Sequence, residues 1–159
     1  MKKTQQINVG LIRCLCCNCG NDYSFARLSD FSYGEWLLCT EDGKVRAYVN
    51  CIEDLVVNEA GEIVKFLLRN VGLSEAQSIQ RFHQVFDFTC DLINGAVVVM
   101  EERTDCPRCG NDKPKMSEYT PPRTAKIECA TVTHEKWLSL SPDMRRQKLK
   151  EEMSRRGLI

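Results

Sequence analysis

Two stretches of this chain carry residues that could do chemistry together. Cys16-Cys17-Asn18-Cys19-Gly20-Asn21-Asp22 and Cys106-Pro107-Arg108-Cys109-Gly110-Asn111-Asp112 are one pattern, C-x-x-C-G-N-D, written twice with 86 residues between the inner cysteines. A C-x-x-C-G turn aims two sulfurs at one point, and its glycine permits the tight backbone; two such turns supply the four thiolates of a tetrahedral metal site. The spacing therefore predicts that Cys16, Cys19, Cys106 and Cys109 bind one Zn2+, joining the start of the chain to its last third. Cys14 and Cys17 also stand in C-x-x-C spacing and could replace the first pair. The glycine directly after Cys19 and the match to the second copy favour Cys16 and Cys19.

At this point the residues resemble the zinc-ribbon superfamily, whose members pair two C-x-x-C-G turns. The resemblance covers the two knuckles, about 14 residues, and implies a structural zinc with four cysteine ligands. Such a site is coordinatively closed, so the metal would contribute folding energy rather than Lewis-acid chemistry. Family ribbons separate their knuckles by a short hairpin; here the long separation makes the ribbon a clasp on a larger domain. Cys106-Pro107-Arg108-Cys109-Gly110 also resembles the second loop of a rubredoxin, which implies iron in the same thiolates and one-electron transfer.

The other chemistry-bearing residues read more plainly. Cys39, Cys51, Cys90 and Cys129 sit in apolar periodic segments and read as core residues, and His83 beside a helical stripe reads as a structural histidine. Cys129 with His134 could supply half of a second site alongside Cys14 and Cys17. No Walker A, G-x-G-x-x-G, G-x-S-x-G or H-E-x-x-H pattern is present, nor a His-x-Glu to pair with a deaminase-type cysteine motif. These absences point away from the common enzyme classes, and no small-molecule substrate is identified.

The elements that must position the sulfurs follow from pattern. Residues 7–13 read as a short strand leading to the first knuckle, and residues 23–28 as a strand leaving it. Trp36–Thr40 and Val45–Val49 flank Asp42-Gly43, a hairpin signal because both residues tolerate positive φ. Ile52, Leu55, Val56, Ala60, Ile63, Leu67 and Val71 fall at helical spacing, arguing a helix within 53–71, although Asn58–Gly61 could instead form a turn. Ser74 with Gln77 three residues on predicts a capping box. The helix behind it carries Ile79, Phe82, Phe86, Cys90 and Ile93 and stops at Asn94-Gly95.

Ala96–Met100 reads as a buried strand feeding the second knuckle. Residues 113–123, with Pro114, Pro121 and Pro122, read as an extended connection, and 127–133 as a strand. Thr133 is a candidate cap for a short helix over 134–140. Ser141-Pro142 opens a last helix that closes on Gly157-Leu158.

The expected architecture is thus α+β: a zinc ribbon closing a small antiparallel sheet, two helices inserted between the knuckles, and a C-terminal basic helix. Residues 1–133 form the tied domain, with the insert at about 23–103, and 134–159 a helical extension. The chain of 159 residues has 22 basic and 22 acidic side chains. Residues 1–112 hold 11 basic against 16 acidic, and 113–159 hold 11 against 6, so the positive charge gathers at the C-terminal end. Arg145, Arg146, Lys148, Lys150, Arg155 and Arg156 on the last helix are candidate partner-binding residues, for a nucleic acid or an acidic protein. Lys148 to Leu158 resembles the first helix of SAP-type DNA-binding modules, a likeness limited to half of that motif.

Lys2 and Lys3 precede only a short apolar run, Ile7–Ile12, with no small-residue cleavage site behind it, and no stretch reaches the roughly 20 apolar residues of a membrane span. The expectation is a cytoplasmic protein whose thiols stay reduced, with no membrane partner. The function expected is a non-catalytic zinc-binding adaptor or regulator for a protein or nucleic-acid partner, with a rubredoxin-like iron-thiolate electron carrier as the alternative.

Overall fold

The computed structural model describes residues 3–28, 33–100 and 104–159; Lys2 and the last residues of the expected insert, 101–103, lie outside them. The chain runs β1 (Thr4–Cys16), β2 (Asp22–Arg27), β3 (Glu35–Thr40), β4 (Arg46–Asn50), α1 (Leu55–Leu68), α2 (Glu75–His83), a 3-10 turn (Phe86–Thr89), β5 (Val98–Val99), β6 (Pro114–Thr131), α3 (Glu135–Leu138) and α4 (Pro142–Arg155). The six strands form one sheet in the order β2-β1-β6-β4-β3-β5. The fold is α+β, as the alternation of patterns indicated. The sheet is larger than the small antiparallel one expected, and it is mixed: β4 meets β6 in parallel at Ala47–Ala130 and Tyr48–Thr131.

β1 and β6 are the spine. They pair antiparallel from Thr4–Ala130 to Cys16–Pro114, so the expected strand over 7–13 extends at both ends. The expected connection over 113–123 and the strand after it are one strand. Its ladder skips from Leu11–Arg123 to Ile12–Glu118, which leaves Tyr119 to Pro122 outside the pairing. A proline has no N–H to give a ladder, and the bulge removes Pro121 and Pro122 from it. The inward face of β1 changes phase beside that irregularity: Val9 is buried, then Ile12, Cys14 and Cys16.

The hairpin forms where Asp42-Gly43 predicted it, with Gly43 at φ 70° and the Asp42 carboxylate accepting from the Thr40 hydroxyl at 2.6 Å. α1 continues through Asn58–Gly61, settling the turn alternative. Its N-cap is Asp54, whose Oδ1 accepts from the amides of Val56 at 2.9 Å and Val57 at 3.2 Å. A side chain at Gly61 would lie 3.8 Å from the Phe82 ring. The capping box of Ser74 and Gln77 is present in both directions, at 3.2 and 2.9 Å.

α2 ends at His83, well short of the expected stop at Asn94-Gly95. Val85 leaves the helix at φ −124°, and neighbouring side chains then enter different cores. Val85 joins Val56, Ala60, Val64, Leu68, Trp137, Leu149, Met153 and Leu158. Phe86 joins Leu38, Ala47, Val49, Val57, Ile93, Val98, Ala130 and Val132. Asn94-Gly95 is instead a tight turn with both residues at positive φ, joining Ile93 to Ala96. The strand expected at 96–100 is reduced to Val98–Val99 on β3.

Thr133 does not cap α3. Asp91 does so from a distance, accepting from the Glu135 amide at 2.6 Å, the Lys136 amide at 3.0 Å and the Thr133 hydroxyl at 2.7 Å. The last helix starts as predicted, Ser141 Oγ accepting from the Met144 amide at 3.3 Å. It stops with Gly157 N–H on the Ser154 carbonyl and Leu158 N–H on the Met153 carbonyl, the paired bonds of a Schellman motif. Through Trp137, Leu149, Met153 and Leu158 the C-terminal helices share a core with α1. Among the described residues no helix is long and apolar enough to cross a membrane.

Candidate metal centre

The register of the spine brings the knuckles together. Cys16 ends β1 opposite Pro114, the first residue of β6, so the turn after β1 and the turn before β6 meet at one end of the sheet. The two turns are built alike. Cys16 N–H donates to the Asn21 carbonyl at 2.8 Å and Gly20 N–H to the Cys16 carbonyl at 3.0 Å; in the second, Cys106 donates to Asn111 and Gly110 to Cys106, both at 2.8 Å. Gly20 and Gly110 have φ of 72° and 74°. Nothing lies within 4 Å of a Cβ built on either, so it is backbone conformation and not space that requires glycine.

The ligand atoms of Cys16, Cys19, Cys106 and Cys109 all lie within 4.8 Å of one another. Cys16 and Cys109 sulfurs are 3.5 Å apart, and Cys19 and Cys106 sulfurs 3.6 Å. These separations are far beyond a disulfide bond of about 2.05 Å. They are near the roughly 3.8 Å edge of a sulfur tetrahedron with about 2.3 Å bonds to zinc. Cys16 and Cys106 are buried, Cys19 is half-buried and Cys109 exposed. The cluster is a possible metal site whose donor set is all sulfur.

Its sulfurs differ in acidity. Although burial opposes it, the amides of Cys109 and Arg108 draw the Cys106 thiol down to about 6. Cys109 is lowered by the Asn18 side chain and the Asn111 amide. Cys19 is pushed up to about 12: the Asn21 amide favours its thiolate, and desolvation with the three other sulfurs overrides that. Several thiolates held this close repel one another unless a positive ion lies among them.

Two contributors were not visible as such in the sequence. Asn18 Nδ2 donates to Cys109 Sγ at 3.6 Å, and Asn21 Nδ2 to Cys106 Sγ at 3.7 Å, each from the first knuckle onto a sulfur of the second. The repeated asparagine was the available signal, but its two copies differ. Asn111 turns its side-chain oxygen to the Lys113 amide at 2.9 Å instead. The shared role is the carbonyl that closes each turn.

Cys14 is buried in β1 and Cys17 exposed on the turn, and neither belongs to the cluster. The second site imagined around Cys129 and His134 does not assemble among the described residues. His134 is enclosed between α1 and the 3-10 turn, Nδ1 at 2.7 Å from the Thr89 carbonyl and Nε2 at 3.2 Å from Asp54 Oδ2. Cys39 and Cys129 are buried, whereas Cys51 and Cys90 are half-buried. His83 lies edge-on to Trp36 with ring centres 5.1 Å apart.

The basic residues of α4 divide into two kinds. Arg145 is bonded inward, Nη1 to Glu59 at 2.8 Å and Nε to the Trp137 carbonyl at 3.1 Å. Arg156 holds Asp87 at 2.7 and 2.9 Å and Glu152 at 2.6 Å, and Arg155 also binds Glu152. Arg146 lies over the Phe66 ring at 5.5 Å, and Lys148 and Lys150 are exposed. No protein-family model matches this chain, and comparison with curated proteins and with solved structures finds no match.

Proposed function

We propose that this protein is a non-catalytic adaptor whose fold is fastened by zinc in the manner of a zinc ribbon, with Cys16, Cys19, Cys106 and Cys109 as ligands. The observation that carries this reading is the convergence of four sulfurs within 4.8 Å from two turns far apart in sequence. Four thiolates complete a tetrahedral shell, so bound zinc supplies folding energy and leaves no position for water or substrate. The chain's own residues prepare that shell: paired amides and the Asn18 and Asn21 side chains hydrogen-bond the sulfurs. The partner is a protein or a nucleic acid, met by the outward part of α4 that Arg146, Lys148 and Lys150 supply, since Arg145 and Arg156 are committed to internal carboxylates.

Metal analysis of the purified protein tests the first half: one zinc per chain and a colourless solution are expected. Stoichiometric iron with visible thiolate absorption would replace the adaptor with an electron carrier. The second half is tested by mobility shift with DNA and RNA at low salt. A nucleic-acid partner requires a salt-sensitive shift that is lost when Arg146, Lys148 and Lys150 become Gln; no shift leaves a protein as partner.

A further inference from the structure

A cleft of about 380 Å3 lies where the end of β2 faces the β3–β4 hairpin and the last turn of α2, lined in part by Phe25, Arg27, Glu35, Trp36, Arg46 and His83. Its volume falls within the roughly 300–1,000 Å3 of ordinary ligand pockets. Flat rings and cations alternate around it. Arg46 Cζ stands 5.3 Å from the centre of the Phe25 ring, and Trp36 and His83 meet edge-on.

Among the described residues several of these side chains make few polar contacts. Among the described residues the Arg46 side chain has no carboxylate within ion-pair distance, and the side-chain polar atoms of Arg46, Trp36 and His83 make no hydrogen bond. Among the described residues Arg27 has only a long, exposed pair with Glu118 at 3.4 Å. Glu35 accepts from the Tyr48 hydroxyl and keeps further acceptor capacity. Burial lowers His83 from the ordinary imidazole range, which favours its neutral ring, able both to donate and to accept. A larger hollow of about 520 Å3 beside α3 lacks this character, because its Asp91 is already spent on Thr133 and the amides of α3.

We propose that this cleft binds a nucleotide, the base held against the half-buried Trp36 ring and the phosphate by Arg46, which lies over the buried Phe25 ring, and Arg27. Guanidinium groups grip phosphate oxygens with charge-assisted bonds, and a base stacks on an aromatic face whatever its identity. Glu35 and His83 supply polar partners for ribose hydroxyls or base edges. The same chemistry is offered by a free mononucleotide and by one nucleotide of a single strand, so both serve as probes. The site is separate from the cysteine cluster, and its test does not depend on which metal that cluster holds.

The test uses the full chain labelled with 15N and titrated with AMP, with adenosine, or with a short oligodeoxyadenylate. The protein has two tryptophans, and Trp36→Phe assigns their indole signals. AMP is expected to shift the Trp36 indole saturably. The indole of Trp137, buried and bonded to Glu59 at 2.8 Å, should hold still. Arg46→Gln should weaken AMP about tenfold or more and Arg27→Gln a few-fold, with melting temperatures unchanged, and adenosine should bind at least about tenfold more weakly than AMP. Tighter binding of the oligonucleotide, lost in Arg46→Gln, identifies a strand as the source of the ligand; tighter binding of AMP identifies the free nucleotide. A Trp36 signal unmoved by either probe at millimolar concentration, or equal affinity in folded Arg46→Gln and Arg27→Gln, overturns the proposal.

Discussion

At the end of the sheet that carries the cysteine cluster, between Leu11 and Arg27 and between Thr104 and Glu118, the buried side chains among the described residues are Ile12, Cys14, Cys16, Phe25 and Cys106. Three of these five are cysteines. At the opposite end two apolar clusters lie on either side of α1, and Phe82 is packed against both. The first region is a sheet end with little apolar surface to hide, and the second is an ordinary core. Small assemblies that cannot bury enough apolar area depend on another source of order. Here the sulfur cluster stands where that source is needed.

The largest effect that would sharpen this contrast is loss of the cluster. Cys106→Ser, or treatment with a strong chelator, should abolish metal binding and strip hydrogen-exchange protection from Ile12–Cys16 and Lys115–Glu118. The helices should keep their circular dichroism. Structural zinc in small peptides is worth about 10–16 kcal/mol at neutral pH, so the local loss should be complete around the cysteine cluster. If the helices melt as well, the two ends are one cooperative unit and the contrast fails.

A smaller effect probes the other end. Leu149 is fully buried against Val64, Met153 and their neighbours, and Leu149→Ala should cost about 2–5 kcal/mol in denaturant unfolding. Metal stoichiometry should not change in the folded variant. Loss of metal at denaturant concentrations where the helices remain would show that the core props up the cysteine cluster.

How much of this was legible depends on how local the signal is. The hairpin at Asp42-Gly43, the Ser74 capping box and the Ser141 and Gly157 helix limits were each read from a few adjacent residues, and each is set by backbone chemistry within one turn. The grouping of four cysteines was legible because the motif is repeated; that they form a zinc ribbon remains a proposal. The end of α2 was not legible, because His83 to Phe86 continue a helical stripe and only tertiary packing sends Val85 and Phe86 into separate cores. The pairing of Pro114–Glu118 with β1 was hidden by prolines that a bulge expels from the ladder. Asp91 as the cap of α3 lies more than 40 residues away in sequence, and no local rule reaches that far. On α4 the charges were legible and their partners were not.

The smallest effect concerns acid, which should act on the two ends by different groups. Arg155 and Arg156 hold the Glu152 carboxyl down to about 2, against some desolvation. A carboxyl lowered on folding adds stability above its unfolded value of about 4.5, and that share is lost as the pH falls from there toward 2. Glu152→Gln should therefore flatten the acid limb of helix stability over this window. At neutral pH it should cost only about 1 kcal/mol, because Asp87 still binds Arg156. At the cysteine cluster a bound metal would compete with protons for the sulfurs, with the Cys106 thiol drawn down to about 6. Glu152→Gln should leave the pH of metal release where it is, followed by a zinc-sensitive dye while circular dichroism follows the helices. If the variant moves both curves together, the carboxylate on α4 and the sulfurs at the far end of the sheet are coupled through β1 and β6, and the division between a sulfur-fastened end and a core-packed end does not hold.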